Sequence, residues 1–341
     1  MNVYTTDRIR NVVLLGHGGC GKTSLVEAMA YLAGMTSRMG KVEDGNTISD
    51  YDKEEMKRHF SINTSVVPII WEDTKINILD TPGYFDFVGE TEEAVSAADA
   101  AIIVVSGKAG IEVGTRKAWE LCEQYKLPRM VFVTDMDIDE ASYRQVVQDL
   151  QELYGKKIAP FHLPIRENGQ FVGYVNVLQQ RAKRWKENGE VEKTDVPDYS
   201  KENLGICREA LMEAGAETSE EFMDRYFGGE EFSEDEIRQA LRVNVAEGSI
   251  VPVLMGSNTL VGDRHRINLT MDEGVHRAWL INKFNETIGY FDDSFSRELS
   301  LLAAEGLELV GILSFVAFTE TPEPGEYWGQ AAVIGYSPHY A

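Results

Sequence analysis

The run Gly16-His17-Gly18-Gly19-Cys20-Gly21-Lys22-Thr23 constrains this chain more than any other stretch. It reads GxxxxGKT, follows the apolar residues Val12 to Leu15, and precedes a helix-like segment from Ser24 to Leu32. Strand, glycine loop and helix in that order are the setting of a phosphate-binding loop. The glycines let successive backbone N–H groups turn toward phosphate oxygens, and the helix N-terminus adds its positive dipole end. Lys22 is placed to reach the outer phosphates as a point charge, and Thr23 to offer its hydroxyl to Mg²⁺. A glycine-rich turn with a surface lysine leaves the flanking strand and helix unexplained. Gly16 through Ser24 are therefore candidate nucleotide-binding residues.

A length of 341 residues means about two domains at the usual roughly 100–200 residues each. No stretch approaches the roughly 20 apolar residues of a membrane span, so no membrane partner is expected. The N-terminal MNVYTTDRIR lacks the apolar core of a signal peptide. Cys20, Cys122 and Cys207 show no disulfide or metal spacing, and the expected location is cytoplasmic. The net charge of −23, from 56 acidic against 33 basic residues, repels a phosphate backbone. Free DNA binding is not expected, although a local patch still permits docking on a ribonucleoprotein.

Met35 to Ser65 is polar and without a sustained period, and a loop of that length is usually functional or mobile. Val66–Trp71 and Lys75–Leu79 read as strands joined by the Glu72-Asp73-Thr74 turn. Further on, Ala100–Val105 and Met130–Val133 read as strands, and Thr115–Tyr125 and Ala141–Tyr154 as helices. This alternation predicts an α/β fold with a doubly wound, mostly parallel sheet and its ligand at the strands' carboxyl ends. From Pro160 the texture changes: a strand over Gln170–Leu178, a loop-rich Arg181–Tyr199, and helices over Lys201–Ala214, Glu217–Phe227 and Ser233–Val245. Ile250–Met255 restores a buried strand. The organisation expected is a nucleotide-binding domain over residues 1–159 and 246–290, closed by a helix over Val275–Phe291. Residues 160–245 form an inserted α+β subdomain. Residues 291–341 form a short C-terminal tail, either a partial β-barrel start or unrelated sequence, with a strand over Leu309–Val316 and a hairpin turn at Thr321–Gly325.

Asp80-Thr81-Pro82-Gly83 ends a strand and is the second chemical signal. The Asp80 carboxylate there holds Mg²⁺ through water, and the Gly83 N–H senses the γ-phosphate. The third signal chooses the base. GTPases place Asn-Lys-x-Asp after a strand, where the Asp accepts two N–H donors that guanine has and adenine lacks. Here Thr134-Asp135-Met136-Asp137 stands in that place, with Asp137 at the guanine-reading position and Thr134 and Asp135 departing from the pattern. Ser257 and Asn258, after Val253–Gly256, fit the loop that closes over the base.

With these motifs in order, the chain resembles the translational GTPases of the elongation factor G family, in a divergent branch. The likeness is carried by GHGGCGKT, SINTSVVPIIW, KINILDTPGYFDFVGE, AADAAIIVVSGKAGIEVGT, RMVFVTDMD and IVPVLMGSN. In the insert, FVGYVNVL and EALMEAGAETSEEFMDRYFGGEEFSEDEIRQAL extend it, for a coverage of roughly residues 8 to 260. The resemblance implies GTP and GDP as ligands, Mg²⁺ as cofactor and GTP hydrolysis as the reaction. It implies the ribosome as a weak partner, met through the switch face and the inserted subdomain. Arg58-His59-Phe60-Ser61 occupies the place of the family's Arg-Gly-Ile-Thr, which makes Ser61 a Mg²⁺ ligand beside Thr23 and Asp80. Tyr84 occupies the place of the histidine that positions the attacking water. A phenol of pKa ≈ 10 is a poor base near pH 7, but its hydroxyl can orient water. The implied catalytic set is Lys22, Ser61, Gly83 and Tyr84, with the rate in question. His17 has a counterpart in the family and is read as structural. Two other readings stand beside hydrolysis: a GTP/GDP switch with negligible turnover, motivated by Tyr84 and Asp135, and a truncated non-functional paralogue. Ala341 comes too soon to close a barrel and supply RNA-contacting domains, so translocation by this polypeptide as written is not expected.

Overall fold

The computed structural model describes residues 4–36, 38–71, 73–185, 191–216, 220–229, 232–257, 264–272, 275–281, 287–290, 308–318 and 327–336. Val12 to Leu15 is apolar on both faces, so it needs cover from both sides and forms the centre of β1 (Ile9–Leu15). There follow α1 (Lys22–Leu32), a short α2 (Lys53–Arg58), β2 (Ser65–Trp71), β3 (Thr74–Asp80), α3 (Val88–Ala97), β4 (Ala100–Ser106) and α4 (Val113–Gln124). Next come β5 (Arg129–Thr134), α5 (Tyr143–Tyr154), β6 (Ile158–Pro160), β7 (His162–Glu167), β8 (Gln170–Asn176), β9 (Arg181–Trp185) and β10 (Val191–Thr194). The helices α6 (Asp198–Ala216), α7 (Glu220–Phe227) and α8 (Glu234–Glu247) lead to β11 (Val251–Met255).

Seven strands make one sheet in the order β2-β3-β1-β4-β5-β11-β6. The β2–β3 hairpin is antiparallel, whereas β1 runs parallel to β3 and β4, and β11 parallel to β5 and β6. This is the predicted α/β architecture. Val13, Leu15, Ile103, Val105, Val131, Val133 and Val253 are buried in its core. Parallel strands put the segments after β1, β3, β5 and β11 at one edge of the sheet, where ligands of open α/β folds bind.

Val251 lies opposite Ile158, so the chain leaves the sheet after β6 and returns beside it in β11. The excursion holds a four-stranded sheet, β10-β9-β8-β7, and the helices α6 to α8. Its own core includes Ile165, Val175, Ala182, Leu204, Leu211 and Leu241. Ser233 and Glu236 form a capping box that starts α8, and Gly248 in the left-handed region (φ 76°) ends it. The loop-rich expectation for Arg181–Tyr199 is corrected, since β9 and β10 lie there. Strand β9 hides its period because Ala182 is its one fully buried residue, flanked by Arg181, Lys183 and Arg184.

The expectation of a helix over Val275–Phe291 is also corrected. β13 (Val275–Ile281) and β14 (Thr287–Tyr290) occupy it, in a sheet with β12 (Arg264–Asp272), β15 (Glu308–Phe318) and β16 (Tyr327–Tyr336). The order is β14-β13-β12-β15-β16, antiparallel throughout. Strands β12, β13 and β14, grouped by sequence with the nucleotide-binding part, thus share a sheet with β15 and β16 of the tail. The helix is expected from the resemblance, whereas Trp279, Ile281, Ile288 and Tyr290 are residue types that suit strands. The strand expected over Leu309–Val316 lies within β15, whereas the Thr321–Gly325 turn lies outside the described residues.

His162, at the start of β7, yields a pH prediction. Its ring lies 4.4 Å from the Tyr174 ring, and its buried Nδ1 has no hydrogen-bond partner. Burial, helped by the Lys183 charge, lowers its pKa from 6.5 to about 4. The folded value is depressed, so the neutral ring's contribution is complete above about pH 6.5 and is lost as pH falls through about 4. A His162→Phe variant is expected to keep on the order of 2–3 kcal/mol of stability that the parent loses across that window. Denaturant unfolding of both proteins at pH 7 and pH 4.5 measures it; equal losses refute it.

Candidate nucleotide-binding site

The loop after β1 is shaped by its glycines. Gly16, Gly19 and Gly21 have φ of 151°, 82° and 90°. A Cβ at Gly16 would lie 2.4 Å from the Val104 carbonyl oxygen, so backbone and loop touch where no side chain fits. Lys22 opens α1, is 6% exposed, and donates to the carbonyls of Gly16 (3.0 Å) and His17 (2.9 Å). Thr23 and Ser24 continue the first turn of α1.

The segment after β3 lies directly against this loop. Thr81 donates to the Leu14 carbonyl at 2.6 Å, locking the end of β3 to β1. A Cβ at Gly83 would sit 2.6 Å from Lys22 Nζ and 2.7 Å from Gly18 N, so only glycine allows this approach. The Tyr84 ring covers Gly18, and Phe60 meets it edge-on at 4.8 Å. Tyr84 stays 44% exposed. His17 packs against the start of α4, its Nε2 3.4 Å from Glu112 Oε1.

Oxygen atoms gather beside Lys22. Thr23 Oγ1 and Ser61 Oγ lie 3.2 Å apart, and Ser61 donates to Asp50 Oδ1 at 2.7 Å. Asp80 is 1% exposed, and neither carboxylate oxygen has a hydrogen bond. Burial pushes its pKa up to about 6, against the opposing pull of the Lys22 charge and the nearby Ser49 and Thr23 hydroxyls. Two orphaned carboxylate oxygens near two hydroxyls are a hard-oxygen set that fits Mg²⁺.

Three carboxylates here escaped the sequence reading. Burial raises the Asp50 pKa while Ser61 and Thr47 hydroxyls oppose the rise. Glu27 is buried on α1 and accepts the N–H groups of Gly40 (2.7 Å) and Ile48. Glu55 accepts those of Asp52, Ile62 and Asn63 at 3.0, 2.8 and 2.9 Å. Together they fold the polar loop that carries Ser61, through charge-assisted bonds to backbone donors. Glu27 had a signal, an acid among the apolar residues of VEAMA. Asp50 and Glu55 had none in so acidic a stretch.

The base-side loop is tied to the phosphate side. Thr134, fully buried, donates to the Cys20 carbonyl at 2.8 Å, so a hydroxyl links the two loops in the place of an asparagine amide. Asp135 has φ 59° and accepts the Ser106 hydroxyl at 2.6 Å, which commits its carboxylate to the loop after β4. Met136 N–H bonds to the Gly256 carbonyl at 3.4 Å, bringing the Ser257 segment beside exposed Asp137. Asn258 lies outside the described residues. Gly16–Ser24, Ser61, Asp80, Gly83 and Tyr84 are thus gathered around one loop, with Thr134, Asp135, Asp137 and Ser257 around its neighbour.

The family model of the elongation factor Tu GTP binding domain matches residues 7–263 of the chain. The chain belongs to that family. Its members are GTPases, so this elongation factor Tu-type domain is a nucleotide-binding domain like that of translational GTPases. A solved structure with the same fold is described as the crystal structure of ttk003000868 from Thermus thermophilus. It is 33% identical, with a TM-score of 0.69, over 81% of this chain and 45% of that one. The chain therefore spans less than half the length of that protein.

Proposed function

We propose that this chain hydrolyses GTP with Mg²⁺ as part of a ribosome-associated factor of the elongation factor G type, which places it in the cytoplasm. The observation carrying the reading is the convergence at one sheet edge of the segments after β1, β3, β5 and β11, in the order phosphate, metal and base require. An insert leaving after β6 and returning in β11 supports the elongation factor G assignment.

In this reading Lys22 exchanges its carbonyl partners for β- and γ-phosphate oxygens, and the loop N–H groups share the anion's charge. Thr23 and Ser61, with Asp80 behind a water, would hold Mg²⁺, which when bound would neutralise charge on the phosphates. Asp50 fixes the Ser61 hydroxyl that faces Thr23. Gly83 N–H senses the γ-phosphate. Tyr84 orients the attacking water without acting as its base, and most of the rate comes from positioning and charge. Asp137 accepts the two guanine donors, with Ser257 and Asn258 closing over the base.

A second reading, a GTP/GDP switch with negligible turnover, is favoured by Tyr84 standing over Gly18 where the family has histidine. Single-turnover hydrolysis of GTP, with and without ribosomes, separates the two. The expected result is slow intrinsic cleavage accelerated by about 100-fold or more on ribosomes, the size that added transition-state charge stabilisation provides. No acceleration favours the switch.

A further inference from the structure

Among the described residues, an arginine of the inserted subdomain reaches the base-side loop. Arg166, near the end of β7, donates from Nη2 to the carbonyls of Met136 (2.9 Å) and Ala141 (3.1 Å). Its Nη1 donates to the Gly169 carbonyl at 2.7 Å. The β7–β8 hairpin is built irregularly at this point. Its register slips between Ile165 and Arg166, and Asn168 and Gly169 turn with φ of 50° and 85°. An irregularity of that kind re-aims a side chain out of the regular pleat. Phe171 and Tyr174 of β8 pack on the core of the seven-stranded sheet, which seats the hairpin.

The grip falls where base recognition is decided. The Met136 carbonyl and the Asp137 N–H belong to a single planar peptide unit, so fixing one orients the backbone that carries the Asp137 carboxylate. On the other side, the Met136 N–H is held by the Gly256 carbonyl at 3.4 Å. Ala141 closes the same loop, and its neighbour Ser142 is bonded to the Gly107 carbonyl at 2.8 Å. One nitrogen, Nη2, thus reaches both ends of the loop over residues 136–141 while Nη1 holds the hairpin turn, a division between two nitrogens that lysine lacks.

We propose that Arg166 is a positioning residue for base recognition, through which the inserted subdomain sets the Asp137 carboxylate for a purine that offers two adjacent N–H donors. The proposal rests on the guanine reading above. The test uses the full chain and compares GDP with IDP, whose base lacks the exocyclic amine and so offers Asp137 one donor fewer. Affinities for both are measured for the parent, Arg166→Ala and Arg166→Lys, alongside thermal unfolding. Arg166→Ala is expected to weaken GDP roughly tenfold and IDP by clearly less, so that the preference for GDP shrinks, as expected for a lost charged hydrogen bond. Arg166→Lys, with a single nitrogen to serve both the loop and the hairpin turn, recovers part of the preference. GDP affinity within about twofold of the parent, or equal weakening of both diphosphates with a lowered unfolding temperature, overturns the proposal, because a merely structural arginine moves both ligands together. Failure of the parent chain to prefer GDP over ADP overturns the guanine reading and this proposal with it, and is seen without any substitution.

Discussion

Lys22→Ala is expected to abolish nucleotide binding rather than merely slow turnover. The ammonium is the side-chain cation that the phosphate loop brings to its own concave face, where it now bonds the Gly16 and His17 carbonyls. A di- or triphosphate placed there without it would be held by backbone N–H dipoles alone. Charge-assisted bonds of this kind are worth about twice neutral ones, and removing one from a desolvated site costs several kcal/mol, or roughly 100-fold or more in affinity. The unliganded fold should change little, because the loop carbonyls it leaves are next to solvent-accessible glycines. Fluorescent GDP binding together with thermal unfolding checks both halves. Retained binding within about tenfold of the parent, on the scale of one ordinary hydrogen bond, contradicts the role given to Lys22.

Asp80→Asn is expected to stabilise the unliganded chain while removing the Mg²⁺-dependent part of nucleotide binding. The buried carboxylate has no hydrogen bond, and its pKa rises from 3.8 to about 6. A folded value above the unfolded one means that the stability linked to the protonated form is complete below about pH 3.8 and lost as pH rises through about 6. At pH 7 the group is ionised at a cost on the order of 3 kcal/mol, which a bound cation relieves. The amide removes that cost and also the charge that Mg²⁺ needs. Thermal unfolding without ligand should therefore shift upward by several degrees for a change of this size. The further shift on adding Mg²⁺ and GDP should shrink. A variant less stable than its parent in the absence of ligand would show that Asp80 serves the fold.

The order of the motifs made the sheet and the phosphate side legible. A glycine loop between an apolar strand and a helix has few other uses, and DTPG after a strand has few neighbours it can meet. The base side was legible only in part. Thr134 and Asp135 depart from the pattern as residue types, yet Thr134 still ties the two loops and Asp135 turns to Ser106, contacts that no one-dimensional spacing reveals. Asp50, Glu27 and Glu55 were hidden for a related reason, because in a chain of net charge −23 a buried acid looks like any other. Arg166 was invisible because its partners are backbone carbonyls 30 and 25 residues away. The segment over Val275–Phe291 misled because the helix there is expected from the resemblance alone, whereas β13 pairs with the preceding β12, Val275 opposite Asp272.

The central claim is that Asp137 and its loop make this phosphate site selective for guanine. Equilibrium titration of the full chain with GTP, GDP and ATP in the presence of Mg²⁺ tests it most directly. Saturable binding of both guanine nucleotides is predicted at concentrations where ATP does not compete, since a carboxylate built to accept two N–H donors rejects a base lacking them by about 100-fold or more. ATP binding as tight as GTP, or tighter, contradicts it.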